Sequence, residues 1–143
     1  MKKLSILLFS ILISFNSYGV WTKITYDIDE NSYYIDTDTT KVHEDGYVYF
    51  LFLIDLLKPE VGYMSSKVYL QVDCVLNQFK FSSIINYKEP MGVGNGETDN
   101  VDNEWEQQDP DDTVAAKLMK YACEFVDEIT SNCSSVSDCT KLA

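Results

Sequence analysis

The sequence is poor in the residues that catalysis and anion binding require. It contains one histidine, and its 11 basic residues are outnumbered by 23 acidic ones. A surface this acidic repels nucleic acid, heparin-like chains and anionic lipid head groups. The histidine, His43, lies in an acidic turn, and no pattern sets a serine or cysteine nucleophile beside a base. We therefore predict a protein that is not an enzyme and does not bind nucleic acid.

Metal and cofactor motifs are also missing. The four cysteines lack the short C-x2-C spacing of zinc sites. The acidic runs do not fit the twelve-residue calcium loop with its glycine and final glutamate. The glycines of 92–96 are followed by an acidic segment instead of a lysine and a helix N terminus, which argues against a phosphate loop. We expect no cofactor and no dedicated metal site, and weak cation binding by residues 97–112 stays open.

The longest apolar run lies at the N terminus and predicts export. Two lysines precede an apolar stretch from Leu4 to Phe15, and a short polar segment that ends in Gly19 follows. This order is typical of a secretory signal peptide, and the stretch is shorter than the ~20 apolar residues of a spanning helix. We predict that 1–19 is a signal peptide. The mature chain then begins at Val20, has a net charge of −14 and lacks an integral membrane span.

Strand patterns dominate the first part of the mature chain. Between residues 67 and 74 apolar and polar side chains alternate strictly, whereas the stretch from 47 to 57 is apolar on both faces. Short turn signals, such as Asp45-Gly46, separate the segments and favour an antiparallel meander. The predicted strands are 20–27, 33–36, 47–57, 67–74 and 78–88.

The second part of the chain predicts an acidic loop and one helix. Residues 97–112 are read as a long mobile loop, with one short strand at Trp105. Residues 113–129 predict a helix that Asp111 or Asp112 caps. Its apolar arc is wide, which suggests partial cover by a second subunit and hence a possible homodimer. The expected fold is α+β: an antiparallel meander of five or six strands, stapled by a disulfide, with a C-terminal helix packed on one face.

The four cysteines follow the predicted signal peptide and therefore favour disulfides. Four cysteines allow three connectivities. Cys74 lies on the apolar face of its strand, and Cys123 lies at the border of the apolar arc of the helix. Cys133 and Cys139 share the polar tail, 130–143. Pairing Cys74 with Cys123 and Cys133 with Cys139 needs the least distortion.

Tyrosine and tryptophan are the candidates for a binding surface. Alternation places Tyr47, Tyr49 and Tyr69 on the outer face of the sheet, and Trp105 is the only large ring in the acidic segment. Tyrosine and tryptophan anchor many protein interfaces, although they are also ordinary core and sheet residues. We predict a candidate binding surface made of these four residues.

Several short motifs together resemble the surface-adhesin protein E family. They are Trp21 after the cleavage site, the stretch Tyr33-Tyr34-Ile35-Asp36, Cys74 at a strand end, Tyr87 before the glycines, Trp105, Pro110 and Cys123 in the helix. The resemblance covers 20–124. It implies an antiparallel sheet closed by a C-terminal helix, with a strand-to-helix disulfide. The family is named for an adhesin that binds host matrix glycoproteins.

The resemblance and the missing catalytic residues give two hypotheses. The first is an exported, non-catalytic, adhesin-like module, in the periplasm or at the cell surface, that recognises a host or envelope protein. The alternative is a structural or accessory protein of the periplasm with no external ligand. The adhesin-like domain is expected over 20–129.

Signal-peptide cleavage is tested by mass. Export of the full chain should yield a protein that begins at Val20, because Ser17 and Gly19 provide the small side chains that signal peptidase requires. Intact-mass spectrometry of the exported protein measures this. A mass that still includes Met1 would indicate an uncleaved membrane anchor.

The cysteine pairing in the tail is tested by peptide mapping. The oxidised protein, digested without reduction, should release a peptide in which Cys133 is linked to Cys139, because the two lie close together in one short segment. A fragment that joins Cys74 to either tail cysteine would rule the assignment out.

Overall fold

Short turns join consecutive strands, as the alternating pattern predicts. In the computed structural model, which describes residues 21–109 and 112–132, six strands lie side by side in chain order and all neighbours are antiparallel. A seventh short strand pairs with the outer edge of the fifth. The strands are β1 (Trp21–Tyr26), β2 (Ser32–Val42), β3 (Val48–Glu60), β4 (Tyr63–Asp73), β5 (Gln78–Tyr87), β6 (Gly96–Asp99) and β7 (Glu106–Gln107).

The centre of the sheet is buried on both sides. In β3, Phe50 and Phe52 face the helix, whereas Leu51 and Leu53 face the opposite side, and all four are buried. On the helix side, residues of β2, β3 and β4 join the helix in one apolar cluster. The two-sided burial predicted for this segment is confirmed, and it requires cover on both faces.

β3 and β4 form a long hairpin that extends beyond the predicted strand end at Leu57. Glu60 pairs with Tyr63, so the turn consists of Val61 and Gly62 alone. Both turn residues have positive φ, 49° and 85° respectively. Two-residue turns of this kind match the twist of the strands and favour glycine at the second position.

One helix, α1 (Thr113–Asn132), packs across one face of the sheet. The carboxylate of Asp112 caps it by accepting hydrogen bonds from the backbone N–H groups two and three residues later. The helix continues beyond the predicted end at Ile129 to Asn132, and the hydroxyls of Thr130 and Ser131 donate to carbonyl oxygens of the preceding turn. Within the described ranges, no helix is long and apolar enough to cross a membrane. The predicted α+β class is confirmed.

The acidic segment departs from its prediction. Gly96–Asp99 form an edge strand on β5 rather than the start of a long loop. The carboxylate of Glu97 accepts a hydrogen bond from the hydroxyl of Tyr63 at 2.7 Å and forms an ion pair with Lys88 at 3.2 Å. The short strand predicted at Trp105 is β7, which begins one residue later. The loop prediction is wrong here because strand pairing uses backbone groups, which an acidic composition does not reveal.

A disulfide joins Cys74, at the end of β4, to Cys123 in the helix. Their Cα atoms lie 5.6 Å apart, and both side chains pack against the apolar cluster. The predicted strand-to-helix pairing is confirmed. Cys133 and Cys139, like the predicted signal peptide, lie outside the described residues.

This bridge should dominate the stability that disulfides provide. Because it closes a loop with a sequence separation of 49, replacing both cysteines with alanine should lower the free energy of unfolding by about 4 kcal/mol. Replacing Cys133 and Cys139 with alanine is the matched control and should cost less, because any loop between them is short. Urea denaturation of the two oxidised double variants measures the difference. Equal losses would contradict the assignment of the main stabilising role to Cys74 and Cys123.

Candidate functional site

The face of the sheet opposite the helix carries aromatic rings and lysines. Directly paired residues on neighbouring strands point to the same side. Lys23 pairs with Tyr34, and its Nζ atom lies 5.9 Å from the centre of that ring. Lys41 of β2 pairs directly with Tyr49 of β3, so these two side chains also point to this side. We call this surface the aromatic–lysine face; it consists of Trp21, Lys23, Tyr34, Lys41, Tyr47, Tyr49, Lys67, Tyr69, Lys80, Tyr87 and Trp105.

Two further lysines of this face lie over rings. The Nζ atom of Lys67 lies 4.9 Å from the centre of the Tyr87 ring and 5.9 Å from that of Trp21. The Nζ atom of Lys80 lies 4.9 Å from the centre of the Trp105 ring. A ring attracts an ammonium group at such distances by about 0.5–1 kcal/mol at exposed sites. The lysine stems can therefore cover apolar surface while their charges face outward.

All four aromatic residues predicted as a binding surface lie on this face. The rings of Tyr47 and Trp105 pack with their centres 5.0 Å apart. The hydroxyl of Tyr49 donates a hydrogen bond of 2.7 Å to Asp45, and burial together with this bond raises the pKa of Tyr49 to about 12. Tyr69 is 44% exposed. The structure thus brings the four together, and their role in binding stays a prediction.

The lysines and the carboxylates of this face do not form ion pairs with one another. Its carboxylates accept backbone N–H groups of nearby turns: Asp36, Asp45, Asp55 and Asp73 each do so. The ion pairs of the described residues are Lys88–Glu97 and Lys120–Glu124, so the four lysines of the face have no carboxylate within 4.0 Å. This side therefore carries lysines between aromatic rings, together with aspartates that are engaged by backbone groups rather than by the lysines.

A short 3-10 turn, Pro90–Gly92, closes one end of this face. The hydroxyl of Ser65 donates to the carbonyl oxygen of Glu89 at 2.6 Å and accepts from the N–H of Gly92 at 2.8 Å. Gly92 has a φ of 65°, and a Cβ atom there would collide with the side chain of Lys67. Glycine is therefore required for the turn to approach the sheet.

A groove lies on the other face, between the helix and β5. The helix contacts β1 and β3, and Lys117 donates a hydrogen bond of 2.6 Å to Thr25 of β1. It therefore leaves the β5 side of its face uncovered. The resulting cavity measures about 580 Å³. We call it the helix–sheet groove; its apolar half is lined by Val68, Leu70, Phe79, Phe81, Ile84 and Met119, among others.

Sequence alternation alone did not reveal this groove. A two-residue period places Phe79, Phe81, Ile85 and Tyr87 on one side of their strand. A register shift in the pairing of β4 with β5 divides that set. Phe79 and Phe81 line the groove, whereas Tyr87 lies on the aromatic–lysine face.

The helix–sheet groove continues into a second cavity of about 490 Å³ with an acidic rim. Six residues, including Tyr33, Ser66 and Asn86, line both cavities. The rim carries Asp27, Asp29, Glu60 and Asp99, whereas Asp112 lines the first cavity, and no lysine of the described chain lines either cavity.

Two pKa values reflect this acidic rim. Burial, the hydrogen bond to Asp27 and nearby carboxylates raise the pKa of Tyr33 well above its usual range. Burial opposes ionisation of Asp27, but hydrogen bonds from Asn31, Tyr33 and backbone N–H groups outweigh it and lower the pKa of Asp27. Asp27 is therefore a fixed negative charge at neutral pH.

Within the described residues, His43 and the acidic side chains form no cluster that could hold a metal ion. His43 is exposed in the turn between β2 and β3, where its ring packs against Tyr49 with the centres 4.3 Å apart. Its carbonyl oxygen accepts the N–H of Gly46 at 2.9 Å, which closes the turn. No group of three or more histidine, cysteine or acidic side chains within 21–109 and 112–132 is placed to hold a metal ion.

Comparison with solved structures identifies the architecture. Crystal form II of Haemophilus influenzae protein E matches with a TM-score of 0.59 and 18% identity, over 73% of this chain and 87% of that one. Protein E from non-typeable Haemophilus influenzae matches with a TM-score of 0.58 and 16% identity, over 80% of this chain and 82% of that one. At these identities the likeness concerns the fold. A comparison with curated proteins gives no match.

Family assignment comes from the sequence model described as surface-adhesin protein E, which matches residues 21–124. The matched region includes all of the sheet and both bridged cysteines. It also contains the aromatic–lysine face and most of the helix–sheet groove. The chain belongs to the surface-adhesin protein E family.

Proposed function

We propose that this adhesin-like protein is exported, lacks catalytic activity and binds another protein through the aromatic–lysine face. The observation that carries the proposal is the composition of that face, where aromatic rings alternate with lysines that form no ion pair with a carboxylate of the described residues. Rings supply apolar contact area at a low entropic cost, and lysines supply charge complementarity.

The exposure of several side chains of this face favours a role in binding a partner over a role in packing the protein's own core. Tyr69 is 44% exposed, and Lys23 and Lys41 are exposed, so these side chains are available to a partner. Trp105 is held in place by Tyr47 and Lys80, which reduces the ordering that binding requires. The expected partner is a protein of the host matrix that presents acidic and apolar side chains together.

Cell-surface exposure separates this proposal from the alternative of a periplasmic accessory protein. Protease added to intact cells should degrade the mature protein if it is an adhesin at the cell surface. Protection in intact cells, followed by degradation after the outer membrane is opened, would support the periplasmic alternative.

Replacing Tyr69 with serine should weaken binding. Labelled mature protein should bind a basement-membrane matrix coat saturably, and Tyr69→Ser should raise the apparent Kd by about tenfold, because exposed aromatic anchors contribute more than about 1 kcal/mol. Val75→Ser is the control, since Val75 is 92% exposed in the turn after β4. A plate-binding titration measures both variants. No saturable binding, or equal loss in both variants, would contradict the proposal.

A further inference from the structure

The helix–sheet groove has the dimensions of a ligand site. Its two cavities, about 580 and 490 Å³, share six lining residues and so form one elongated depression. Small-molecule sites commonly measure about 300–1,000 Å³. The rings of Phe79 and Phe81 are half-buried in its floor and contact each other with centres 5.5 Å apart. Apolar surface of this kind is available to a partner.

The two halves of the groove differ in chemistry. One half is apolar and runs along the helix between Val114 and Met119. The other half is bordered by the four carboxylates of the acidic rim. These carboxylates accept hydrogen bonds where they have partners, but no ion pair in the described part of the chain neutralises them. A ligand that fits both halves has a large apolar group beside a cationic one.

The middle of the groove is polar and suits a peptide backbone. The hydroxyl of Ser66 donates to the side-chain oxygen of Asn86 at 2.6 Å, and the amide of Asn86 reaches Asp99 only at 3.5 Å. Amide and hydroxyl groups at this position can exchange hydrogen bonds with peptide groups of a ligand. A simple amphiphilic amine has no groups that use them.

We propose that the helix–sheet groove binds an extended segment of a partner protein in which a large apolar side chain is next to lysine or arginine. The apolar side chain fills the half lined by Phe79 and Phe81, and the cation lies between Glu60 and Asp99 of the rim. This proposal rests on the proposed function in one respect, because both take a protein as the binding partner. It uses the opposite face of the sheet, where carboxylates rather than lysines border the apolar surface.

Three capped peptides of equal length test the chemistry. The first alternates lysine with phenylalanine and leucine, the second has glutamate for each lysine, and the third has serine for each apolar residue. Titrated into the isotopically labelled mature protein, only the first should bind saturably and shift the backbone amide signals of Ile84 and Ala115. Its affinity should fall as salt is raised, because the rim charges are exposed. Equal binding of the glutamate peptide, or no binding of the lysine peptide, would overturn the proposal.

Two pairs of matched variants test the location. Ala115→Phe puts a ring into the groove, whereas Ala116→Phe makes the same change at a position of the helix that does not line it. The first variant should lower the affinity for the lysine peptide by about tenfold, and the second should leave it unchanged. Glu60→Lys reverses a rim charge, and Glu44→Lys reverses an exposed charge in a distant turn. Only Glu60→Lys should weaken binding, by about threefold.

Other occupants give different results in the same experiments. A long-chain alkylamine that produces the groove shifts while the lysine peptide does not would assign the site to a small amphiphile and overturn the peptide assignment. Light scattering that finds a dimer in wild type and a monomer in Ala115→Phe would assign the groove to a second copy of the chain. The Tyr69→Ser variant should bind the lysine peptide as well as wild type does. A loss of peptide binding in the groove can therefore be distinguished from a loss of matrix binding by the aromatic–lysine face.

Discussion

A sheet that is apolar on both faces but has only one helix to cover it determines much of this structure. β3 buries Phe50 and Phe52 on one side and Leu51 and Leu53 on the other. The helix covers the first side. On the second side, the 3-10 turn at Pro90–Gly92 and a layer of rings and lysine stems exclude water instead. The aromatic–lysine face therefore has a structural origin, and its outer groups are the ones available for recognition.

The sequence predicts the sheet well because alternation is a local signal. The two-sided burial of β3, the inward position of Cys74 and the cap at Asp112 all follow from neighbouring residues. The same reasoning underestimates β2, which was expected only at Tyr33–Asp36 and continues to Val42 through an irregular pairing. Its later residues are mostly polar threonines and an aspartate. They extend the strand because β3 offers backbone partners, a non-local cause that a polar pattern does not show.

The sequence likewise predicts some features of the candidate sites and not others. Tyr47 and Tyr49 share a face because of parity along one strand, which the sequence contains, and the pairing of Leu51 with Tyr69 places the third tyrosine on the same face. The contact of Trp105 with Lys80 depends on how the segment after β6 continues along β5 to β7. The groove depends on the path of the helix and on the register shift in β5, and neither is encoded in a periodic pattern. Surfaces formed by one strand are thus readable from sequence, whereas surfaces formed between elements are not.

The disulfide links these features, because it fixes the middle of the helix at the point where β4 ends. From Cys123 the helix crosses toward β1, where Lys117 bonds to Thr25 and Tyr121 bonds to Thr40 of β2. A helix held at these points cannot move sideways to cover Phe79 and Phe81. The open groove is therefore a consequence of the covalent link and of polar contacts on the far side of the helix. These restraints keep an apolar surface with an acidic border open on one face of the sheet, and rings with unpaired lysines lie on the other, so the fold offers two candidate recognition surfaces of different chemistry.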